Sequence, residues 1–369
     1  MSARPAALIT GEVSPYRREP FRLLARAEDV EVIAWAHDGD VPDGLTVHRV
    51  SQARAARLAA SGRYRAVICG LGGRVALPGA YLGARRARVP FVLWATMWSH
   101  PRTPAHALSL LPTRWLYRHA DAVATYGPHV TRYVERWRGA RGLVFEAPQA
   151  VDAREFGRAV PDAERQGWRE RAGAASGARF LALFAGRLER EKGVEQLLEA
   201  WAESGLAAQG GVLAFAGEGP LRGAVEAAGA VALGRVPRGR LPGLYAAADA
   251  LVLPSIRTAT FTEPWGFVLN EAMHQGTPVI ATDAVGAVAG GLVRDGRNGL
   301  VTPERDPHAL AARLRALAAN PDLRARLGAA ALDDVAQYTP EAWVEGMRAA
   351  LRAVSAGRPD PSYPSATPL

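Results

Sequence analysis

Two basic side chains in one short loop have the types and spacing of an anion site. The apolar run Leu181–Ala185 leads into Gly186-Arg187-Leu-Glu-Arg-Glu-Lys192-Gly193, and Val194–Trp201 then carries an amphipathic pattern. This order reads as a buried strand, a loop holding Arg187 and Lys192, and a helix. Lys192 is the only lysine in a chain with 44 arginines. A sequence that writes Arg wherever a generic positive charge serves keeps Lys where a compact ammonium is needed, and a phosphate in a tight loop is a fitting ligand for that point charge. Codon chance is the competing explanation.

A second pair of charges is acidic. Glu263-Pro-Trp-Gly-Phe-Val-Leu-Asn-Glu271 precedes Gly276 and Pro278, which read as a helix stop and the opening of a strand. A helix from about Gly266 to Gln275 follows. Glu263 then stands in the loop before that helix and Glu271 inside it, roughly 12 Å apart at helical rise. They are too far apart for an adjacent acid–base dyad and fit two grips on one elongated ligand. Between them, the N–H groups of Gly266, Phe267 and Val268 face out of a helix N-terminus, which favours an anion or a sugar oxygen.

The elements that must position these groups alternate along the whole chain. Strands are expected at Ala6–Thr10, Val30–Trp35, Ala66–Cys69, Phe91–Ala95, Ala122–Tyr126 and Leu143–Glu146. In the second half they are expected at Arg179–Ala185, Val212–Ala216, Val231–Leu233, Ala250–Leu253, Pro278–Thr282 and Gly299–Val301. Helical patterns such as Pro20–Ala27, Ala53–Ala60 and Leu108–Arg118 lie between them. Alternation of this kind argues for two consecutive doubly wound α/β domains, in which ligands bind beyond the carboxyl ends of the strands. The expected division is residues 1–155 and 163–339, a final helix over about 340–357 returning to the first domain, and a disordered Pro/Ser-rich tail over 358–369.

Composition narrows the function classes. At 369 residues, 49% hydrophobic and 22% charged, the chain is an ordinary soluble one. The single cysteine, Cys69, excludes a disulfide framework and a multi-thiolate zinc site. With no secretory leader and no apolar run long enough to span a bilayer, a cytoplasmic protein is expected. Residues 1–150 hold 21 arginines against 11 acidic residues, while the remainder holds 24 basic against 25 acidic. The whole net charge of +9 therefore sits in the first half, allowing contact with an anionic membrane or an acidic acceptor. No nucleic-acid motif is visible. Asp38-Gly-Asp40 has a metal-binding form but reads as a polar turn, and Gly70-Leu-Gly-Gly73 lacks the full dinucleotide fingerprint.

Five segments together carry a family likeness: Phe184–Leu188 with Glu191-Lys-Gly193, Phe215–Pro220, Ala248–Ser255, Glu263–Asp283 and Asp295–Val301. In order and spacing they resemble the donor domain of family 4 retaining glycosyltransferases. The likeness is strong over 180–305 and softer at Ser14–Phe21, Tyr126–Pro128 and Ala147–Asp152. It implies the GT-B fold, two Rossmann-like doubly wound domains facing each other across a cleft. It also implies a nucleoside-diphosphate sugar as donor substrate, with no metal or other cofactor, and a glycan, glycolipid or small-molecule acceptor. On that likeness Arg187 and Lys192 hold the donor diphosphate beside Gly186, and Glu271 takes the ribose hydroxyls. Glu263 holds the transferred sugar, beside Gly266, Phe267 and Val268. The base rests near Gly217, Gly219, Arg235 and Val236. His100 is the candidate histidine near the reacting sugar, with His106 behind it, while His274 reads as helix surface or packing. Rival readings are a nucleotide-sugar epimerase or hydrolase of the same fold, and a sugar-nucleotide-binding scaffold without catalysis.

Overall fold

The computed structural model describes residues 4–37, 39–174 and 180–356. Asp38 and the tail therefore lie outside the described residues. Two compact units are present, one made of residues up to Trp98, Leu108–Pro148 and the segment from Pro340, the other of Ser99–Ala107 and Gln149–Thr339.

The first unit is built on a parallel sheet of β1 (Ala6–Thr10), β2 (Val30–Ala34), β3 (Val47–Arg49), β4 (Ala66–Gly70), β5 (Phe91–Ala95), β6 (Ala122–Thr125) and β7 (Val144–Glu146). Its order is β3-β2-β1-β4-β5-β6-β7. Strands such as Phe91–Ala95 are buried along their whole length, because helices cover both faces of the sheet. One face packs Tyr64, Tyr81, Phe91 and Tyr117, and the other packs Leu8, Phe21, Trp94 and residues of the helix Pro340–Ala356. Trp343 of that helix lies 5.6 Å from both Phe21 and Trp94, centroid to centroid. The three-residue edge strand Val47–Arg49 was not expected from the sequence. Its alternation is too short to register, and it exists because β2 offers it a ladder.

The second unit repeats the plan with β8 (Phe180–Ala185), β9 (Gly211–Ala216), β10 (Val231–Gly234), β11 (Ala250–Leu253), β12 (Val279–Thr282) and β13 (Gly299–Thr302). The order is β10-β9-β8-β11-β12-β13, again parallel throughout. In each sheet the chain winds outward one way and then crosses back, so a switch point lies between β1 and β4, and another between β8 and β11. Loops leaving the carboxyl ends of those paired strands diverge and leave a crevice.

Candidate active site

The crevice of the second unit collects most of the expected residues. Lys192 leaves β8 on a short 3₁₀ turn, Arg190–Lys192, and Glu263 lies on the segment leaving β11. Because β8 and β11 are neighbours at the switch, residues 71 apart in sequence meet, and Lys192 Nζ lies 2.5 Å from Glu263 Oε2. Ser255 Oγ donates to the same oxygen at 3.1 Å, and the ammonium also lies 4.8 Å from the centre of the Phe261 ring. Both members of the pair are largely withdrawn from water.

Glycine is required on both sides of this pair. Gly193 has φ +74°, and a Cβ there would stand 1.9 Å from the Pro254 carbonyl oxygen. That contact seats the lysine turn directly on the segment after β11, where Ile256 N–H also donates to Glu191 O at 3.0 Å. Gly217 has φ +155°, and a Cβ would fall 1.8 Å from Gly186 O. The loops after β8 and β9 thus cross backbone against backbone, bridged by the hydrogen bond Leu188 N–H to Glu218 O at 2.8 Å. Gly186, Gly217 and Gly219 therefore have a structural reason to be glycine before any ligand is invoked.

Arg187 projects from the same loop with its guanidinium more than half exposed, paired with Glu189 and, at 3.6 Å, with Glu191. A hydrogen bond accepted by Glu191 favours the protonated form of Glu189 and pushes that carboxyl above its usual range. Gly266 caps the helix Phe267–Met273, which ends before the expected Gln275, and Leu269 N–H is the amide that bonds back to Gly266 O at 3.0 Å. Trp265, fully buried, fixes the approach by donating its indole N–H to Asn270 Oδ1 at 2.7 Å.

Glu271 is buried among other side chains. Tyr245 Oη donates to Glu271 Oε2 at 2.6 Å, and Arg238 Nη1 lies 3.9 Å from Oε1. Burial raises the Glu271 carboxyl above the usual range, with Tyr245 and Arg238 opposing the shift. The contacts described for Glu263 run to Lys192 and Ser255, and those for Glu271 to Tyr245 and Arg238. Arg235 and Val236 follow β10 on the surface side, and it is Arg238, three residues on, that reaches the glutamate. Arg238, Tyr245 and Ser255 went unassigned in the sequence. Arg238 is one of 44 arginines, and Tyr245 looks like an ordinary apolar-face residue of a helix.

The segment Ser99–Ala107 groups with this unit through Arg102 N–H to Ala259 O at 2.6 Å and Ser99 Oγ to Thr262 Oγ1 at 2.8 Å. His100 is thereby carried alongside the strip that ends in Glu263, and its Nε2 sits 2.8 Å from His106 O. His274 is packing: buried at the end of the helix Phe267–Met273, it is pushed by burial below the usual imidazole range.

The first unit has its own cavity of about 250 Å3, at the carboxyl ends of its central strands. It is lined by Glu12, Tyr16, Arg17, Trp35, Trp94 and Tyr126, among others. The Arg17 guanidinium lies 4.5 Å from the Trp94 ring and donates to Tyr126 Oη at 2.6 Å.

Residues 168–334 match the family model described as glycosyl transferases group 1. A D-inositol 3-phosphate glycosyltransferase of Streptomyces avermitilis is 30% identical over 288 residues, 68% of this chain and 58% of that one. A 2-deoxystreptamine glucosyltransferase of Streptomyces kanamyceticus is 30% identical over 203 residues, 51% of each chain. Other relatives match over shorter stretches, the chain spanning 23% of one D-inositol 3-phosphate glycosyltransferase and 25% of another. Among solved structures, Anabaena HepE in complex with UDP-glucose superposes with a TM-score of 0.76 at 19% identity, covering 95% of this chain and 99% of that one. Sucrose-phosphate synthase of Thermosynechococcus elongatus gives 0.75 at 21% identity, covering 96% and 100%. At those identities the superpositions speak for the fold, GT-B, and the family match assigns residues 168–334 to the glycosyl transferases group 1 family.

Proposed function

We propose that this chain transfers a sugar from a nucleoside-diphosphate sugar to an acceptor hydroxyl, with retention of anomeric configuration and no metal requirement. The observation that carries this reading is the withdrawn Lys192–Glu263 pair at the β8/β11 switch point. A diphosphate entering the crevice competes for the ammonium. Lys192 then changes partner, and Glu263 is released to accept a hydroxyl of the transferred sugar. As the glycosidic bond breaks, charge grows on the leaving diphosphate, and fixed cations aimed at it lower the barrier. Lys192 and Arg187 fill that role, where other enzymes of this chemistry use a divalent ion. Glu271, whose ionised form Tyr245 and Arg238 favour against the effect of burial, takes the ribose hydroxyls. The base lies along the loops at Gly217–Gly219 and Arg235–Val236. His100 borders the sugar, and a leaving phosphate oxygen takes the acceptor's proton.

For the acceptor we propose a compact polyhydroxylated group, free or as the head of a glycan or glycolipid, seated in the first unit's cavity against Trp35 and Arg17. D-Inositol 3-phosphate and 2-deoxystreptamine, after which two of the relatives are named, are rings of that kind. HepE's complexes with UDP and UDP-glucose make uridine nucleotides the first donors to try. Thermal-shift screening against UDP-, GDP-, ADP- and dTDP-sugars tests the donor, and NMR of the product's anomeric proton in EDTA tests retention and metal independence. Turnover without acceptor to an epimer or free sugar favours the epimerase or hydrolase reading. Donor binding with neither outcome favours the scaffold.

A further inference from the structure

The first unit carries an outer face that the proposed chemistry leaves unexplained. Among the described residues eight large apolar side chains are exposed, and four lie on two neighbouring helices, Ala76–Arg86 and Pro104–His119. Leu108 is 82% exposed, Leu111 71%, Trp115 46% and Leu82 65%. The spacing 108, 111, 115 puts three of them on one side of a helix. Trp115 joins the two helices, its ring 5.0 Å from that of Tyr81 and stacked on His119 at 4.3 Å. Contiguous exposed apolar groups of this kind mark a surface that meets something.

The charge around the face says what. Between Arg74 and Arg141 the chain has 11 arginines and two acidic residues, Asp121 and Glu135. Asp121 is already engaged, bonded to Arg85 and to the Phe91 amide. An open cleft of about 500 Å3 beside Trp115 is lined by Tyr81, Arg85, His119, Asp121, Arg138 and Arg141. Arg138 is buried there, with its guanidinium bonded to the carbonyls of Tyr117, Ala120 and Asp121. Leucines projecting beside a cleft of guanidinium groups suit the boundary between acyl chains and phosphates. Like charge disfavours pairing with a second copy of the same face. No helix among the described residues is long and apolar enough to cross a membrane.

We propose that this face docks on an anionic phospholipid bilayer. Leu108, Leu111 and Leu82 enter the acyl boundary, Trp115 sits at headgroup depth, and lipid phosphates are taken by the arginine cleft. The attraction combines two signals, apolar insertion and charge, each too weak alone to anchor a protein. Flotation with vesicles of phosphatidylglycerol and phosphatidylcholine tests it. The full chain should float with mixed vesicles at low salt, at least tenfold less with pure phosphatidylcholine, and less as salt rises. Leu108→Asp/Leu111→Asp should lose flotation at least tenfold, and so should Arg86→Glu/Arg141→Glu, which reverses one arginine of the cleft and one exposed at the end of the helix Ala76–Arg86. Both should keep the parent's melting temperature and nucleotide affinity, which separates lost docking from misfolding. Soluble glycerol phosphate should not displace the chain. Flotation unchanged by the double leucine variant overturns the proposal. So does displacement by glycerol phosphate, or a concentration-dependent dimer that the leucine variant abolishes.

Discussion

Lys192 and Glu263 neutralise each other where water is scarce, and this sets what substitutions there do. Lys192→Arg keeps the charge but places a wide fork where a point charge sits 2.5 Å from its partner. It should lower kcat/KM at least tenfold, and near-parental kinetics would mean the lone lysine is a codon accident. Glu263→Ala should abolish transfer while nucleotide affinity, read by calorimetry, changes far less. Equal loss of both would remove Glu263 from the sugar. Glu271 makes a pH prediction. Its carboxyl is raised by burial, and the proposed grip on ribose needs the ionised form, so donor affinity should fall as pH drops through a range above that of ordinary carboxylates. Tyr245→Phe removes a hydrogen bond that favours the ion and should move that inflection upward; a profile flat from pH 8 to 5 in both proteins contradicts the assignment. The same raised value means that ionisation of Glu271 opposes folding above the unfolded-state pKa, so Glu271→Gln should melt no lower than the parent at pH 8 while binding nucleotide poorly.

At the scale of elements, Gly193→Ala tests the seating of the lysine turn. A methyl 1.9 Å from Pro254 O cannot be absorbed by a flexible side chain, so the backbone must move. The variant should lose both stability and donor affinity, whereas Gly223→Ala, with open space around it, should not. Asp334 ties the helix Pro321–Val335 to the loop before β13. Arg297 first, then Arg294 and Asn298, hold its carboxyl down to about 2. A depressed folded-state value gives stability that is present above the unfolded value and lost as pH falls towards 2; Asp334→Ala should cost about 2 kcal/mol at neutral pH in urea unfolding and lose that deficit in acid. Much of this layer was legible. Buried parallel strands write long apolar runs bounded by turn residues, so Phe91–Ala95 and Ala250–Leu253 could be read to the residue. Edge strand Val47–Arg49 could not, because three half-exposed residues have no pattern of their own. In the crevice, Lys192 and Glu263 were readable as chemistry, but their pairing was not. It depends on β8 lying beside β11, which only the sheet order supplies. Arg238 reaching Glu271 belongs to the same class of fact.

At the scale of the molecule, the first unit's core includes a helix that follows the whole second unit in sequence. Trp343→Ala should destabilise that unit by about 3–5 kcal/mol, because a fully buried indole between Phe21 and Trp94 leaves a cavity. Hydrogen exchange should then show β1–β7 opening while β8–β13 keep their protection; uniform loss across both sheets would mean that stability is shared. The arrangement also bears on how the chain is made. A ribosome delivers β1–β7 first, yet one face of that sheet has no Trp343, Met347 or Leu351 to close it until residues 340–356 emerge. Leu8, Phe21 and Trp94 must meanwhile remain partly wet while the second unit is synthesised and can complete its own core. The segment made first is therefore the last to finish folding, and the exposure of its unfinished face to chaperones and proteases lasts as long as translation of the residues between.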